Sequence, residues 1–198
     1  MILIYIIYIA TQLKYLDMKK IFALFFIFIV FASCDKPTTY QTIKIKKQYS
    51  VDLPSFLSEA ENLNDEASLQ YQNLLKEFYV LVIDEPKQAF ANAIERQDIN
   101  ADLDGYSDVI LKNLRASIQN GVFSEIENIK IGGLNARTFS VTGTVEGIEI
   151  YYEFAQIEGK KQFYQILIWT EPKRLDKHQT EMKKIINSFK ELSDRSKK

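Results

Sequence analysis

The sequence offers few side chains that could do chemistry. It holds one histidine, His178, and one cysteine, Cys34, among 198 residues. A Ser-His-Asp arrangement would need His178, with Ser107 of "GYSDV" as the nucleophile, but that segment misses the G-x-S-x-G pattern at its last position. His178 lies in "LDKHQTEM", on the polar side of a predicted helix, which favours a surface histidine. We therefore predict no catalytic residues, and a hydrolase using Ser107 or the acid pair Asp102 and Asp104 stays an alternative.

The segment "DINADLDGYSD" is the best candidate for a metal site. Asn100, Asp102 and Asp104 match the alternating oxygen ligands that open a calcium loop, and a glycine follows them. Leu111, however, stands where such loops place their bidentate glutamate. The alternative is an acidic loop that leads into a helix, because a helix N-terminus stabilises negative charge. The sequence thus predicts no metal and no cofactor, with Asn100, Asp102 and Asp104 as weak candidates.

Cys34 follows the segment "MKKIFALFFIFIVFAS", which has the lysines, short apolar run and small residues of a secretory signal. The apolar run is too short for a membrane span, which needs about 20 residues. The end of the segment resembles a bacterial lipobox, although Phe31 stands where leucine is usual. The resemblance implies cleavage before Cys34, a diacylglyceryl group on its sulfur and an acylated amino terminus. The alternatives are an ordinary signal peptide, or an anchor with a chance cysteine.

These features divide the chain into four parts. Residues 1–17 add a second apolar run ahead of a complete signal, so we predict that translation begins at Met18; a longer anchor is the alternative. Residues 18–33 are the predicted lipoprotein signal peptide. Residues 34–48 are polar and partly basic and are predicted to be a tether. Residues 49–198 are predicted to form a single α/β domain.

Composition and charge limit the possible partners. Residues 34–198 hold 22 Lys and Arg against 25 Asp and Glu, a net charge of −3, which gives no indication of nucleic-acid binding. Residues 173–198 hold 9 basic and 4 acidic side chains, a net charge of +5. This segment could form a basic helix face for lipid headgroups or a partner. The alternative is solvated charges that pair with one another in the fold.

Two similar segments, "EFYVLVID" and "QFYQILIW", have apolar residues at both odd and even positions. Strands of this kind are buried on both faces. Each continues through Glu-Pro-Lys into a predicted helix, and Ser107 is predicted to cap another helix between them. Neighbouring strands joined by short turns pair in antiparallel fashion. The sequence therefore predicts an α+β fold: a three-layer α/β/α sandwich around a mainly antiparallel sheet.

The predicted order, β-β-β-α-α-β-β-β-β-α, with a last helix after "FYQILIWTEPK", resembles the PsbP-like fold between Tyr49 and Leu192. This fold is shared by the extrinsic PsbP subunit of photosystem II and a yeast Ran-binding import factor. The resemblance implies an accessory or binding role. We thus expect a lipid-anchored envelope protein that faces the periplasm and binds a protein partner. A small-ligand binder with an apolar pocket beneath the Tyr- and Phe-rich strands is the alternative, and no binding residues are identified.

Overall fold

The structure is a computed structural model that describes residues 38–45 and 47–192. The predictions for residues 1–17, for the signal peptide at 18–33 and for Cys34 lie outside the described residues. The described residues from Thr39 onward form one compact unit. No helix within the described ranges has the length and apolar character needed to cross a membrane.

The described residues form eleven strands, three α-helices and one 3-10 turn. In chain order these are β1 (Tyr40–Ile45), β2 (Tyr49–Pro54), β3 (Ser58–Glu59), β4 (Ala67–Asn73), β5 (Phe78–Pro86), α1 (Lys87–Ile94), α2 (Leu103–Ser117), β6 (Gln119–Phe123), β7 (Glu127–Ile131), β8 (Leu134–Val145), β9 (Ile148–Glu158), β10 (Gln162–Thr170), the 3-10 turn (Pro172–Arg174), α3 (Leu175–Ser188) and β11 (Lys190–Glu191).

The strands form two antiparallel sheets. The main sheet has the order β3-β4-β5-β10-β9-β8-β6, and β7 also pairs with β8. β8 is long enough to pair with β7 along its first half and with β6 along its second half. β6 and β7 therefore form one edge of the main sheet. The small sheet has the order β1-β2-β11.

The two-faced strands β5 and β10 are neighbours at the centre of the main sheet, with Leu167 opposite Leu81. On one face, Val80 and Ile166 pack in a core cluster with Met182 of α3 and with the small sheet. On the other face, Phe163 packs in a separate cluster with side chains of α1 and α2. The expected three-layer α+β sandwich is confirmed, and one outer layer combines α3 with the small sheet.

The tether predicted over residues 34–48 overlaps a strand. β1 pairs with β2 from Tyr40 opposite Pro54 to Ile45 opposite Tyr49. Ile43 and Ile45 pack against the core, while Thr42 and Lys44 are exposed. A half-exposed strand with lysine and threonine on its outer face has a weak apolar signal, which explains why the sequence predicted a tether there. The folded unit begins at Thr39 instead of Tyr49.

The two Glu-Pro-Lys segments lead to helices on opposite faces. Pro86 ends β5 and directly precedes α1, whose Phe90 packs beside Phe163. Pro172 begins the 3-10 turn before α3, whose Ile185 packs in the cluster on the other face. The two similar segments thus form similar strands and turns, but the helices that follow them pack on opposite faces of the main sheet.

Gly132 and Gly133, in the β7–β8 turn, provide a test of how this turn packs. Both have positive φ, +58° and +85°. A Cβ at position 132 would lie 2.6 Å from the Phe189 carbonyl oxygen, whereas one at position 133 would meet nothing within 4 Å. We expect Gly133→Ala to cost about 1–2 kcal/mol for the left-handed backbone. We expect Gly132→Ala to cost clearly more, because the chain that follows α3 must also move.

Urea unfolding of the two variants, each against the parent protein, measures this difference. The backbone cost is common to both variants, so Gly133→Ala serves as the matched control for the close approach at position 132. Equal losses of unfolding free energy would contradict the packing of the β7–β8 turn against residue 189.

Candidate functional site

The main sheet separates Ser107 from His178. Ser107 is fully buried in α2, on the face of the sheet that carries α1 and α2. His178 belongs to α3, on the opposite face, where its ring meets the edge of Phe78 with ring centroids 4.9 Å apart. The two side chains therefore do not form a Ser-His pair, which was one of the arrangements considered for a hydrolase.

His178 is a core residue, so the prediction of a surface histidine was wrong. Its Nε2 lies 3.0 Å from the Lys76 carbonyl oxygen, to which it donates a hydrogen bond. Burial lowers the pKa of the imidazole below its ordinary value of 6.5, against the opposing effect of that hydrogen bond. The sequence contained a usable signal, because His178 follows Leu175 by three residues and precedes Met182 by four. That spacing places it on the apolar stripe of the helix.

The metal candidates have structural roles at the start of α2. Asp102 is the N-cap, and its side chain accepts a hydrogen bond from the Gly105 amide at 2.9 Å. Asp104 forms an ion pair with Arg137 Nη2 at 2.7 Å. Asn100 is exposed in the loop before the helix. Within residues 38–45 and 47–192, no group of three or more His, Cys, Asp or Glu side chains is placed to hold a metal ion.

The prediction that Ser107 caps this helix was wrong. Asp102 caps α2, whereas Ser107 lies inside the helix and its hydroxyl has no hydrogen-bond partner among the described residues.

Asp102 and Asp104 line a groove of about 260 Å³ together with Glu158. Glu158 is paired with Lys87 at 2.8 Å, and this contact holds the pKa of its carboxyl below the usual range. The acids of this groove are thus engaged in ion pairs and a helix cap.

A second groove, of about 230 Å³, lies where the β6–β7 edge of the main sheet meets α3. We call it the edge groove. It is lined by Ser124, Glu125, Glu127, Thr138, Phe139, Ser140, Tyr151, Glu153, Gln179 and Lys183.

The side chains of β9 give the edge groove its chemistry. The Tyr151 hydroxyl donates a hydrogen bond to Glu153 Oε2 at 2.5 Å. Burial raises the pKa of the Glu153 carboxyl; the Tyr151 hydrogen bond and Lys183 oppose this shift, and Glu127 adds to it. Burial and the same hydrogen bond raise the pKa of Tyr151 to about 12. The groove therefore holds a partly desolvated carboxyl beside a neutral phenol, an arrangement suited to accepting hydrogen bonds from a cation or an amide.

Apolar side chains flank the edge groove along the sheet edge. Val122 is 71% exposed and Ile126 is 38% exposed. Ile126 lies between Glu125 and Glu127, which both line the groove. Carboxylates at 125, 127 and 153 outnumber the single Lys183, so the groove is acidic. An acidic centre between exposed aliphatic residues has the polar and apolar elements of a protein-binding surface.

The edge groove was not predicted from the sequence. Its signal was weak but present: in "YYEFAQI", Glu153 occupies the same face as Tyr151 and Ala155, both of which are buried. A charge at an inward-facing strand position is costly unless a partner or an opening accompanies it. That partner is Tyr151, and the opening is the groove between the sheet edge and α3.

Comparisons with known proteins place this structure among domains with the PsbP-like fold. No family model matches the chain, and no curated protein sequence matches it. The solution structure of CyanoP, the cyanobacterial PsbP of Synechocystis sp. PCC 6803, is similar with a TM-score of 0.54 at 11% identity, over 80% of this chain and 95% of that chain. The fold expected from the PsbP-like resemblance is thereby confirmed, and at this identity the similarity concerns the fold alone.

Two further solved structures are similar at lower scores. LpqN of Mycobacterium tuberculosis, described as involved in cell envelope biogenesis, has a TM-score of 0.47 at 8% identity, over 81% of this chain and 88% of that chain. PA94 of Pseudomonas aeruginosa, a protein of unknown function, has a TM-score of 0.46 at 14% identity, over 75% of this chain and 94% of that chain.

The buried hydroxyl of Ser107 leads to a stability prediction. A buried polar group without a partner costs about 1–3 kcal/mol. We expect Ser107→Ala to raise the free energy of unfolding by about 1 kcal/mol beyond the effect of Ser117→Ala in the same helix. Ser117 is exposed and its hydroxyl donates to the Asn113 carbonyl oxygen at 3.1 Å, so its replacement removes one exposed hydrogen bond and changes helix propensity. Urea unfolding of both variants measures the difference, and a loss of stability in Ser107→Ala would contradict the prediction.

The single histidine gives a prediction for the dependence of stability on pH. Because the pKa of His178 is lower in the folded state, the unfolded chain binds the proton first as the pH falls. The contribution of His178 is thus fully present above its unfolded value of about 6.5 and is lost progressively as the pH drops below it. We expect His178→Gln to remove this part of the pH dependence.

Urea unfolding of the parent and His178→Gln proteins, followed from about pH 7.5 to pH 5, isolates the effect. The carboxyl groups contribute equally to both proteins and cancel in the difference. Parallel stability curves over this range would show that residue 178 is not a buried, neutral histidine.

Proposed function

We propose that this chain is a lipid-anchored protein of the bacterial cell envelope, facing the periplasm, whose domain binds a protein partner without catalysing a reaction. The observation that carries the binding role is the edge groove, an acidic opening at an exposed sheet edge with aliphatic residues beside it. The anchor is supported by the lipobox-like sequence that ends at Cys34.

The groove favours an extended, basic segment as its occupant. Strands β6 and β7 form the edge of the main sheet, and a sheet edge offers backbone donors and acceptors to an added strand. A bulge interrupts the pairing of β6 with β8 between Gln119 and Val122, which limits indiscriminate edge pairing. The carboxylates at 125, 127 and 153 would pair with lysine or arginine of the partner. Val122 and Ile126 would supply the apolar contact.

A small-ligand binder is the second candidate, and a third groove favours it. This groove of about 320 Å³ is lined by Lys47, Lys160, Lys161 and Tyr164, among other residues. It differs from the apolar pocket expected beneath the aromatic strands, because its three lysines outnumber the single carboxylate, Glu191, and would favour an anionic molecule. Bound small anions in the mass spectrum of the native protein would support this candidate over the protein-binding role.

Site-specific cross-linking in cells tests the protein-binding role. A photoreactive amino acid at position 126 should form an adduct of one defined mass with a protein partner. The same amino acid at Ile148 is the matched control, since Ile148 is exposed and aliphatic but lies outside the groove. Equal adducts at both positions, or none at position 126, would contradict the proposed site.

Charge reversal adds a second test of the groove. The double variant Glu125→Lys and Glu127→Lys should abolish the adduct at position 126, because both side chains are exposed and line the groove. Glu149→Lys changes an exposed acid of β9 outside the groove and should leave the adduct intact. The anchor is tested separately: intact-mass analysis should find lipid on Cys34, and Cys34→Ala should release the protein from membranes.

A further inference from the structure

The turn between β4 and β5 exposes two adjacent leucines. Leu74 is 64% exposed and Leu75 is 91% exposed. The turn is nevertheless well held: the Lys76 amide donates to Asn73 Oδ1 at 2.9 Å, and Arg174 donates to the Leu75 carbonyl oxygen at 3.3 Å. The leucines are therefore presented to the outside by a fixed turn.

Basic side chains surround these leucines. Lys76 lies in the turn itself, with its Nζ 4.9 Å from the centre of the Phe56 ring. Arg174 contacts the turn from the other side, and the exposed Lys173 precedes it. The acids nearby are Glu77, in the turn, and Glu171, which pairs with Lys173 at 2.8 Å and with Arg174 at 3.3 Å. Two aliphatic tips flanked by cations match the interfacial region of a bilayer with anionic headgroups.

A chain of direct contacts links this turn to the beginning of the folded unit. The Thr39 hydroxyl lies 2.9 Å from that of Ser55, and the Ser55 amide donates to the Thr39 carbonyl oxygen at 2.8 Å. Next in the chain, the Phe56 carbonyl oxygen accepts a hydrogen bond from Asn73 Nδ2 at 2.7 Å. Asn73 directly precedes the leucines. The N-terminal segment thus enters the folded unit at the same end as the exposed turn.

The distance to the proposed lipid is short. Five residue steps separate Thr39 from Cys34, and an extended chain spans at most about 18 Å over that length. A lipid on Cys34 therefore keeps the Thr39 end of the folded unit close to the bilayer. A stable protein interface buries roughly 800 Å² on each partner, which is far more than two leucine side chains provide. The turn is better matched to a membrane surface.

We propose that Leu74, Leu75, Lys76, Lys173 and Arg174 form a membrane-contact surface that rests on an anionic leaflet, with both leucines at the boundary between headgroups and acyl chains. This inference rests on the proposed lipid anchor at Cys34. The anchor supplies membrane attachment, and the membrane-contact surface fixes which end of the domain faces the lipid.

Depth measurement with a nitroxide label tests the membrane-contact surface. In the lipidated protein the Cys34 sulfur is blocked, so Leu75→Cys provides the single free thiol. Lys160→Cys is the control, because Lys160 is exposed in the β9–β10 turn at the opposite end of the central strands. The full-length mature protein is reconstituted in vesicles of phosphatidylethanolamine and phosphatidylglycerol. Power saturation then compares the accessibility of each label to oxygen and to a water-soluble nickel chelate.

The ratio of oxygen to nickel-chelate accessibility should be several-fold higher at position 75 than at position 160. It should fall when phosphatidylcholine replaces phosphatidylglycerol, and an unchanged ratio would overturn the contribution of anionic lipid. A contrary result is a label at position 75 that is as water-exposed as the label at position 160, in protein whose intact mass shows the lipid on Cys34. That result would overturn the membrane-contact surface and leave the lipid anchor supported.

Failure of the anchor itself is distinguishable from failure of the surface. If Cys34 carries no lipid, the same labels are placed in the Cys34→Ser protein and mixed with the same vesicles. A label at position 75 that stays in water would then overturn the surface as well, and a label that enters the interface would support it. A further outcome is a label at position 75 that is shielded from both oxygen and the nickel chelate in native envelopes but exposed to water in vesicles. That result would show that a protein covers the turn, and it would also overturn the inference.

Discussion

The pairing of β5 with β10 at the centre of the main sheet is the constraint on which the rest of the structure depends. Both strands carry apolar side chains on both faces, and burial of each such side chain contributes about 1.5–3 kcal/mol. The pair is therefore stable only when both faces are covered. α1 and α2 cover one face, and α3 with the small sheet covers the other. This requirement leaves the centre of the sheet closed to ligands.

The same constraint directs polar chemistry to the margins. Along β9, Phe154 and Ile157 are fully buried, whereas Glu153, in the middle of the strand, lines the edge groove and Glu158, at its end, lines the groove beside α2. Charged groups persist there because each finds a partner, a tyrosine hydroxyl for Glu153 and a lysine for Glu158. Coverage of both faces of the central strands thus accounts for the position of these two grooves at the edge and the end of the sheet.

The layers could be predicted from the sequence because two-faced apolar strands have few structural solutions. Residues whose role depends on a distant contact could not be predicted in this way. The charged residues around His178 predicted an exposed side chain, although its helical spacing from Leu175 and Met182 indicated burial. β1 was not predicted because it is stabilised mainly by pairing with β2, and its own apolar pattern is weak. The edge groove could not be predicted because the role of Glu153 depends on its hydrogen bond with Tyr151 and on the opening beside α3, which the sequence does not show.

The earlier start of the folded unit also changes what a lipid anchor would do. A tether over residues 34–48 would allow the domain to range about 50 Å from its lipid, whereas a segment that ends at Thr39 allows at most about 18 Å. A partner of the edge groove must then lie close to the same membrane. If that partner is itself held at the membrane, confinement of both proteins to a thin layer raises their effective concentration for each other, and a modest interface is then sufficient for binding. A shallow groove at a sheet edge is therefore consistent with a stable complex at the membrane.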